Sequence, residues 1–561
     1  MSDRDVELAV FAVLMGVMLV LGFAAARWRQ PQSIHSLEEW GVGGRAFGSW
    51  VTWFLLGGSM YTAYTFVAVP ALTYGVGALG FFAVPFAIAT TPIAFIMSAR
   101  AWSVSHRHGF VTPGEMAGAR FGSPGLSALV AVTGIVATMP YVSVQLLSLQ
   151  AVFKTLGVAG EWPLLVAVGL VSVSTFRSGL RAPALLSIAK DILLVWVVVS
   201  GVLIVAMSGG WGTTFRLAAD HFARTPSPAD GLLLSDAGQV GYLTMVVGSA
   251  LSIFAYPHAV IAIIAARDRS TVQRNTAALP VYCLALGLMG MLGLFAVANG
   301  VVPIGRDLNT VTPQLFHNLL PGWSAGIAYA TLGVAALIPA AVMSIAAANA
   351  FTRSIYRQYL RPDAGPAEEA RVSRWASLVV KFGAVAVILL LDPAYSAELQ
   401  LIGGAVILQT IPAVMFGLTT AWFHRAALIA GLVTGLVVAV ALLYRIPQLG
   451  PGGVVVKAHF GGSSWSFGGG VMVYVGLIAL LANLLVAVAG TVVLRLAKVP
   501  AGVDQTRPED YTTDVDDPMV KRLDDLLDGL PRNPGGAHTR PPVRPLPPQR
   551  PVGTVYRRSR P

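Results

Sequence analysis

The sequence predicts an all-α, polytopic membrane protein, and three observations carry that class. Apolar residues make up 55% of the 561 residues, charged residues only 12%, and the mean hydropathy is +0.69. An ordinary soluble domain has about 25% charged residues, and a soluble globule this apolar could not cover its own surface with polar groups. The apolar residues fall in runs of the length, about 20 residues, that a helix needs to cross a bilayer. Cys283 is the only cysteine, which excludes a disulfide scaffold, and the composition excludes disorder for the bulk of the chain.

Thirteen runs are read as spans 1 to 13, in chain order: 6–26, 47–75, 77–99, 125–156, 161–176, 184–207, 238–266, 276–299, 323–350, 373–392, 395–421, 425–444 and 467–495. Span 1 follows Asp3, Asp5 and Glu7 rather than a basic region. It has no small-residue cleavage site before Arg27, so it reads as an uncleaved helix and not a signal peptide. Spans 2 and 7 stand out by their breaks. Span 2 contains Gly57-Gly58-Ser59-Met60-Tyr61-Thr62 and then Pro70; span 7 contains Gly248-Ser249 and then Tyr256-Pro257-His258. Broken helices persist at membrane depth only where they line a cavity or bury against protein. Two breaks five spans apart fit an inverted repeat with a binding site between its halves. The bland alternative for each break alone is an ordinary kink.

Polar residues cluster near these breaks: Tyr61, Thr62, Tyr64 and Thr65 on span 2; Tyr141, Ser143, Gln145 and Gln150 on span 4; Ser252, Tyr256 and His258 on span 7; Gln409 on span 11. Each alone suits an interhelical hydrogen bond as well as a ligand contact. His258, beside a proline in mid-span, is a functional candidate, its alternative being a bond to a freed carbonyl. Lys190 and Asp191 open span 6 and read as a structural ion-pair cluster rather than a proton relay.

The net charge of +11 sorts by side. With thirteen spans, 30 of the 38 basic residues fall on one face and 7 on the other, with Lys381 inside a span. Basic residues mark the cytoplasmic side, so the N-terminus is expected outside and the C-terminus in the cytoplasm of a bacterial plasma membrane. The imbalance therefore calls for no nucleic acid. Residues 1–499 form the expected transporter domain. Residues 500–561, rich in proline and arginine, are expected to be a disordered cytoplasmic tail with a possible short amphipathic helix around 519–530. That tail reads either as a solvated segment near anionic lipid or as a docking motif for an unknown partner. No phosphate-binding loop, H-E-x-x-H or C-x-x-C pattern occurs, so no enzyme, no ATP-driven pump and no cofactor is expected. His106 and His108 are only weak evidence for a metal.

On these residues the chain resembles the sodium:solute symporter family over nearly all of 6–495. EEWGVGGRAFGSWVTWFLLGGSMYTAYTFVAVPALTYGVGA is similar to that family's second helix and its approach. SGLRAP at 178–183, YPHAVIAIIAARD at 256–268, PGWSAG at 321–326 and AFTRSIYRQYL at 350–360 are similar in order and spacing. TGIVATMPYVSVQL, MSIAAANAFTRSIY and RDRSTVQRN most resemble the bacterial monocarboxylate permease branch. The resemblance implies a LeuT-like fold of the APC superfamily, with inverted five-helix repeats over about 47–207 and 238–421, one helix before and two after. It implies uptake of a small monocarboxylate, with Na⁺ as coupling ion. The implied sodium site takes carbonyls of Gly58, Tyr61 and Ala335 and two hydroxyls of span 9. Those two positions are Ile338 and Pro339, which carry no hydroxyl, and proton coupling with His258 as carrier stands as the alternative. The implied substrate contacts are Thr62, Thr65, Tyr141, Gln145, Ser249, Ile253, Tyr256 and Pro257. A small carboxylate would then be held by helix N-termini and hydroxyl donors, there being no arginine among them. Another small solute such as an amino acid or pantothenate, a channel, and a transporter-like sensor remain as alternatives.

Overall fold

The structure is a computed structural model that describes residues 2–25, 36–158, 160, 162–224, 231–391, 396–449, 454–468 and 470–512. The chain divides into a body, Met1–Asp517, and a separate unit, Pro518–Pro561. The second unit, with the amphipathic helix and the proline-rich motif expected there, lies outside the described residues.

Each of the thirteen expected runs contains helix among the described residues. Among the described residues, ten helices are long and apolar enough to cross a membrane unaided. Their exteriors are apolar, as lipid requires: Val20, Val195, Leu284 and Val437 are each more than half exposed. Span 9, helix Gly322–Phe351, runs through the centre and is buried along its whole apolar window, whereas span 1, helix Asp3–Ala25, is buried over 22% of its window. Small residues let these two approach. A Cβ on Gly326 would lie 2.7 Å from the Val10 Cβ and 2.9 Å from the Glu7 carbonyl, the close contact by which helices associate where no hydrophobic force separates lipid from protein.

Helix ends follow local chemistry. Thr112 and Glu115 form a reciprocal capping box at the start of helix Pro113–Phe121, with proline in the first position. The Asp268 side chain accepts from the Thr271 N–H at 2.7 Å and starts helix Arg269–Ala278. Span 13 begins later than expected. Its helix is Val475–Leu496, because Met472–Tyr474 pairs as an antiparallel strand with Ser464–Ser466.

The two broken spans are broken as the sequence suggested. Span 2 runs as helix Ser49–Met60, leaves helical geometry at Tyr61 (φ −95°, ψ 84°), and resumes through a wide turn over Tyr64–Ala68 into helix Val69–Val76, whose first turn holds Pro70. Span 7 runs as helix Asp236–Ala255, is extended at Tyr256 (φ −64°, ψ 136°), and restarts at Pro257 as helix Pro257–Ile264. Proline cannot donate the hydrogen bond a continuous helix would need.

Loops from the basic side contact one another. Arg45 pairs with Glu38 at 2.7 Å and donates to the Phe110 carbonyl, Arg181 pairs with Glu39 at 2.5 Å, and Arg353 and Arg357 both pair with Glu369. Lys154 and Asp307, from loops assigned to the other side, pair at 2.6 Å. One residue leaves the sorting: Lys190 is 1% exposed inside the bundle, so it belongs to neither face. The boundary expected at 499 also moves. Residues 500–512 pack on the body, with Arg120 on Asp504 at 2.8 Å, the Gln505 N–H donating to the Ala119 carbonyl and His108 on Asp510 at 2.7 Å.

Candidate solute and cation site

The site is built where the two breaks face span 4. Unwinding span 2 frees backbone groups that must find partners. The Ala63 N–H donates to Gln145 Oε1 at 3.0 Å. The Thr62 hydroxyl accepts from the Tyr64 N–H at 3.1 Å and from Gln145 Nε2 at 3.4 Å. Gln145 and Thr62 are therefore occupied in holding the break open. Span 4, helix Pro124–Thr155, also presents Tyr141. Its ring lies 5.4 Å from that of Tyr256, 5.5 Å from that of His258 and 6.3 Å edge-on from that of Tyr64.

Tyr61, Thr65, Tyr141 and Ile253 line one cavity with Tyr64, Phe86, Tyr282 and Leu286. In this conformation it has room for about one water molecule. Several polar atoms around the breaks are buried without a hydrogen-bond partner: the Tyr64 hydroxyl, the Ser249 hydroxyl and both ring nitrogens of His258. Buried polar atoms are nearly always satisfied, so a group of unsatisfied ones at the breaks, Tyr64 among them on the cavity wall, marks where a ligand or water completes the bonding. Pro257 touches no polar partner and backs onto Gly134, where a Cβ would lie 2.9 Å from the proline ring. Gln409 is not part of this group. Its amide donates to the Ala405 and Gly476 carbonyls, and Asn483 donates to the Gln409 carbonyl, which ties span 11 to span 13. Span 11 contributes space instead: a Cβ on Gly403 would lie 2.8 Å from the Tyr256 hydroxyl, which itself reaches the Gln400 carbonyl at 3.5 Å.

Two of the residues implied as sodium ligands border a side-chain cation. The Tyr61 carbonyl accepts from Lys190 Nζ at 2.8 Å. Gly58 borders the same ammonium, and a Cβ there would lie 3.5 Å from Nζ and 3.3 Å from the Ser187 hydroxyl. Lys190 Nζ is 3.1 Å from Asp191 Oδ1, and Asp191 Oδ2 accepts from the Tyr282 hydroxyl at 2.9 Å. Ile338 packs with Met18 and Val334 against Leu186 and Ala189, and it lines an apolar cavity beside span 1. Ala335 is fully buried and Pro339 lies within the helix. The span 9 hydroxyls that flank these positions, Thr331 and Ser344, donate to the Ile327 and Leu193 carbonyls and to the Ala341 carbonyl, and neither stands at position 338 or 339. Na⁺ is a hard cation that needs several oxygen ligands, and this donor set does not fit it.

Sequence reasoning missed the reach of Lys190 and the part of Tyr282. The signal was present in the glycine pair. A Cβ on Gly57 would run into the Tyr282 ring, so Gly57 serves close approach of a tyrosine as much as it serves the break.

Comparison with known proteins places this geometry in context. Residues 40–425 match the sodium:solute symporter family. The chain is 43% identical over 494 residues to a monocarboxylate transport permease protein of Rhizobium johnstonii, covering 88% of this chain and 98% of that one. It is 31% identical over 458 residues to the uncharacterized symporter YodF of Bacillus subtilis, covering 80% and 89%. Among solved structures, a substrate-bound outward-open Na⁺-coupled sialic acid symporter superposes with a TM-score of 0.67 at 17% identity over 88% of this chain and 98% of that one. That likeness shows the fold, and with it the LeuT-like architecture.

Proposed function

The chain belongs to the sodium:solute symporter family, and from that premise we propose that it takes up a small monocarboxylate across the plasma membrane by symport with a cation. It is a solute symporter and not an enzyme. The observation that carries the solute reading is the set of unpartnered polar groups at the two broken helices, Tyr64 on the wall of a small cavity and Ser249 and His258 on span 7. A carboxylate takes hydrogen bonds from hydroxyls, imidazole and the N-terminus of a half-helix. Here helix Pro257–Ile264 starts beside the Tyr141, Tyr256 and His258 rings. Thr65, Tyr141 and Ile253 shape the cavity wall with Tyr256 packed behind Tyr141, Thr62 and Gln145 hold the unwound segment, and Ser249, Pro257 and His258 complete the span 7 side. The name of the Rhizobium relative supports the monocarboxylate class. Alternating access rocks the helices about this midplane site. The sorting of basic residues supports an N-terminus outside and a C-terminus inside. Na⁺ is the coupling ion that the family's name supports, with the proton as the alternative.

Uptake of labelled acetate, propionate, pyruvate and lactate into vesicles, with Na⁺ and H⁺ gradients imposed separately, tests this reading. Accumulation of at least one of them under one gradient is expected. Accumulation of none, alongside uptake of an uncharged solute or an amino acid, overturns the monocarboxylate assignment.

A further inference from the structure

We propose that the Lys190 ammonium is a tethered cation. It takes the place that the unwound carbonyl of span 2 would otherwise offer to sodium, so this place binds no Na⁺ and transport proceeds without Na⁺ there. The inference rests on the symporter reading and concerns its cation.

Four observations from different parts of the chain converge. The Tyr61 carbonyl, freed by the break, accepts from Lys190 Nζ at 2.8 Å, so the oxygen is already bound to a positive charge. Gly58 borders the ammonium, a Cβ there coming into ordinary contact with Nζ at 3.5 Å and crowding the Ser187 hydroxyl at 3.3 Å. The charge is balanced within the site by Asp191 at 3.1 Å, whose second oxygen is held by the Tyr282 hydroxyl at 2.9 Å. At the two span 9 positions where the family resemblance puts hydroxyls stand Ile338 and Pro339, with Ile338 packed on Leu186 and Ala189, the neighbours of Ser187 and Lys190.

The physical logic is substitution of one cation by another. A sodium ion and an ammonium both satisfy a buried carbonyl, but in a low-dielectric interior two positive charges on one oxygen repel strongly. A lysine on span 6 needs only one carboxylate to balance it and asks for no ligands from span 9. Loss of the span 9 hydroxyls and the presence of Lys190 are thus one change seen from two sides. A buried charged pair at membrane depth is costly unless it has such work to do.

The test compares the purified full chain with Lys190→Ala, reading the melting temperature in sodium chloride against choline chloride. The wild type is expected to show a smaller Na⁺ response than the variant, because removing the ammonium exposes the Tyr61 carbonyl beside the Asp191 carboxylate. Lys190→Arg, which keeps the charge, is expected to gain no response. Should Lys190→Ala fail to accumulate, Lys190→Gln takes its place with the same expectation. An equal or smaller Na⁺ response in the neutral variant overturns the proposal. In proteoliposomes at a fixed membrane potential, Lys190→Ala is expected to lose about tenfold of its uptake in choline and to recover part of it in Na⁺. Equal loss in both salts counts against the tethered cation. If neither protein takes up any monocarboxylate, the solute reading fails and the melting comparison still judges the lysine.

Discussion

The break in span 2 and the break in span 7 occupy matching places in the two halves, yet they are finished in opposite ways. Span 2 unwinds at a glycine pair, and its freed groups are met by the protein's own side chains: Gln145 on the Ala63 N–H and Lys190 on the Tyr61 carbonyl. Span 7 breaks at Pro257, which has no N–H to satisfy. Around it stand three aromatic rings, while the Ser249 hydroxyl and the His258 nitrogens have no partner. At span 2 the freed backbone groups are satisfied from within and the Tyr64 hydroxyl stays open; at span 7 a hydroxyl and a histidine ring wait for a partner. A broken helix is thus not a site by itself; what its neighbours leave unpaired decides that.

Substitutions can break or sharpen this contrast. The largest effect is expected at the internally satisfied break. Asp191→Asn leaves the buried Lys190 ammonium without its counter-charge and should destabilise by about 3–5 kcal/mol, read as a lower melting temperature in detergent. Gly57→Ala drives a methyl into the Tyr282 ring and should cost about 1–3 kcal/mol through overpacking, with loss of uptake. Gln145→Ala orphans the Ala63 N–H and should cost about 1–3 kcal/mol; a melting temperature equal to wild type would show that water takes over the bond. At the open break the stability effects should be small and the kinetic ones dominant. His258→Phe keeps ring shape and removes two unpartnered nitrogens, so stability should change by less than about 1 kcal/mol while the KM for solute rises. A large loss of stability there would mean that the nitrogens are paired after all. The smallest change is expected for Tyr256→Phe, whose hydroxyl makes only a 3.5 Å contact: a modest rise in KM with kcat preserved. Adding hydroxyls as Ile338→Ser with Pro339→Ser should produce no Na⁺ response while Lys190 remains, because the ammonium still holds the Tyr61 carbonyl.

Much of this was legible in order along the chain. The spans, the two breaks and their five-span offset follow from residue type and spacing, because lipid forces every backbone bond inside a helix and exposes any failure as glycine or proline. Tyr141, Thr65 and Ile253 reach the cavity in the same way, each sitting at the depth of a break. The start of span 13 was misplaced because a short hairpin and an apolar helix share the same residue types. Residues 500–512 looked like tail by composition, yet Asp504 and Asp510 find Arg120 and His108 nearly 400 positions away. Lys190 was the largest surprise. Beside Arg181 in sequence it reads as one more charge at a cytoplasmic helix end. Nine residues of helix, about 2.5 turns or 13 Å, separate a surface from a membrane interior, and a long flexible stem adds several ångströms more.

The sequence by itself determined the membrane class, the order of the helices and where they must break, since these depend on local chemistry judged against lipid. Only the tertiary structure decided which freed backbone groups are already bonded and which remain open, because that depends on where Gln145, Lys190 and Tyr282 arrive from distant helices. A carbonyl offered to a cation looks the same in sequence whether the cation comes from the water or from span 6.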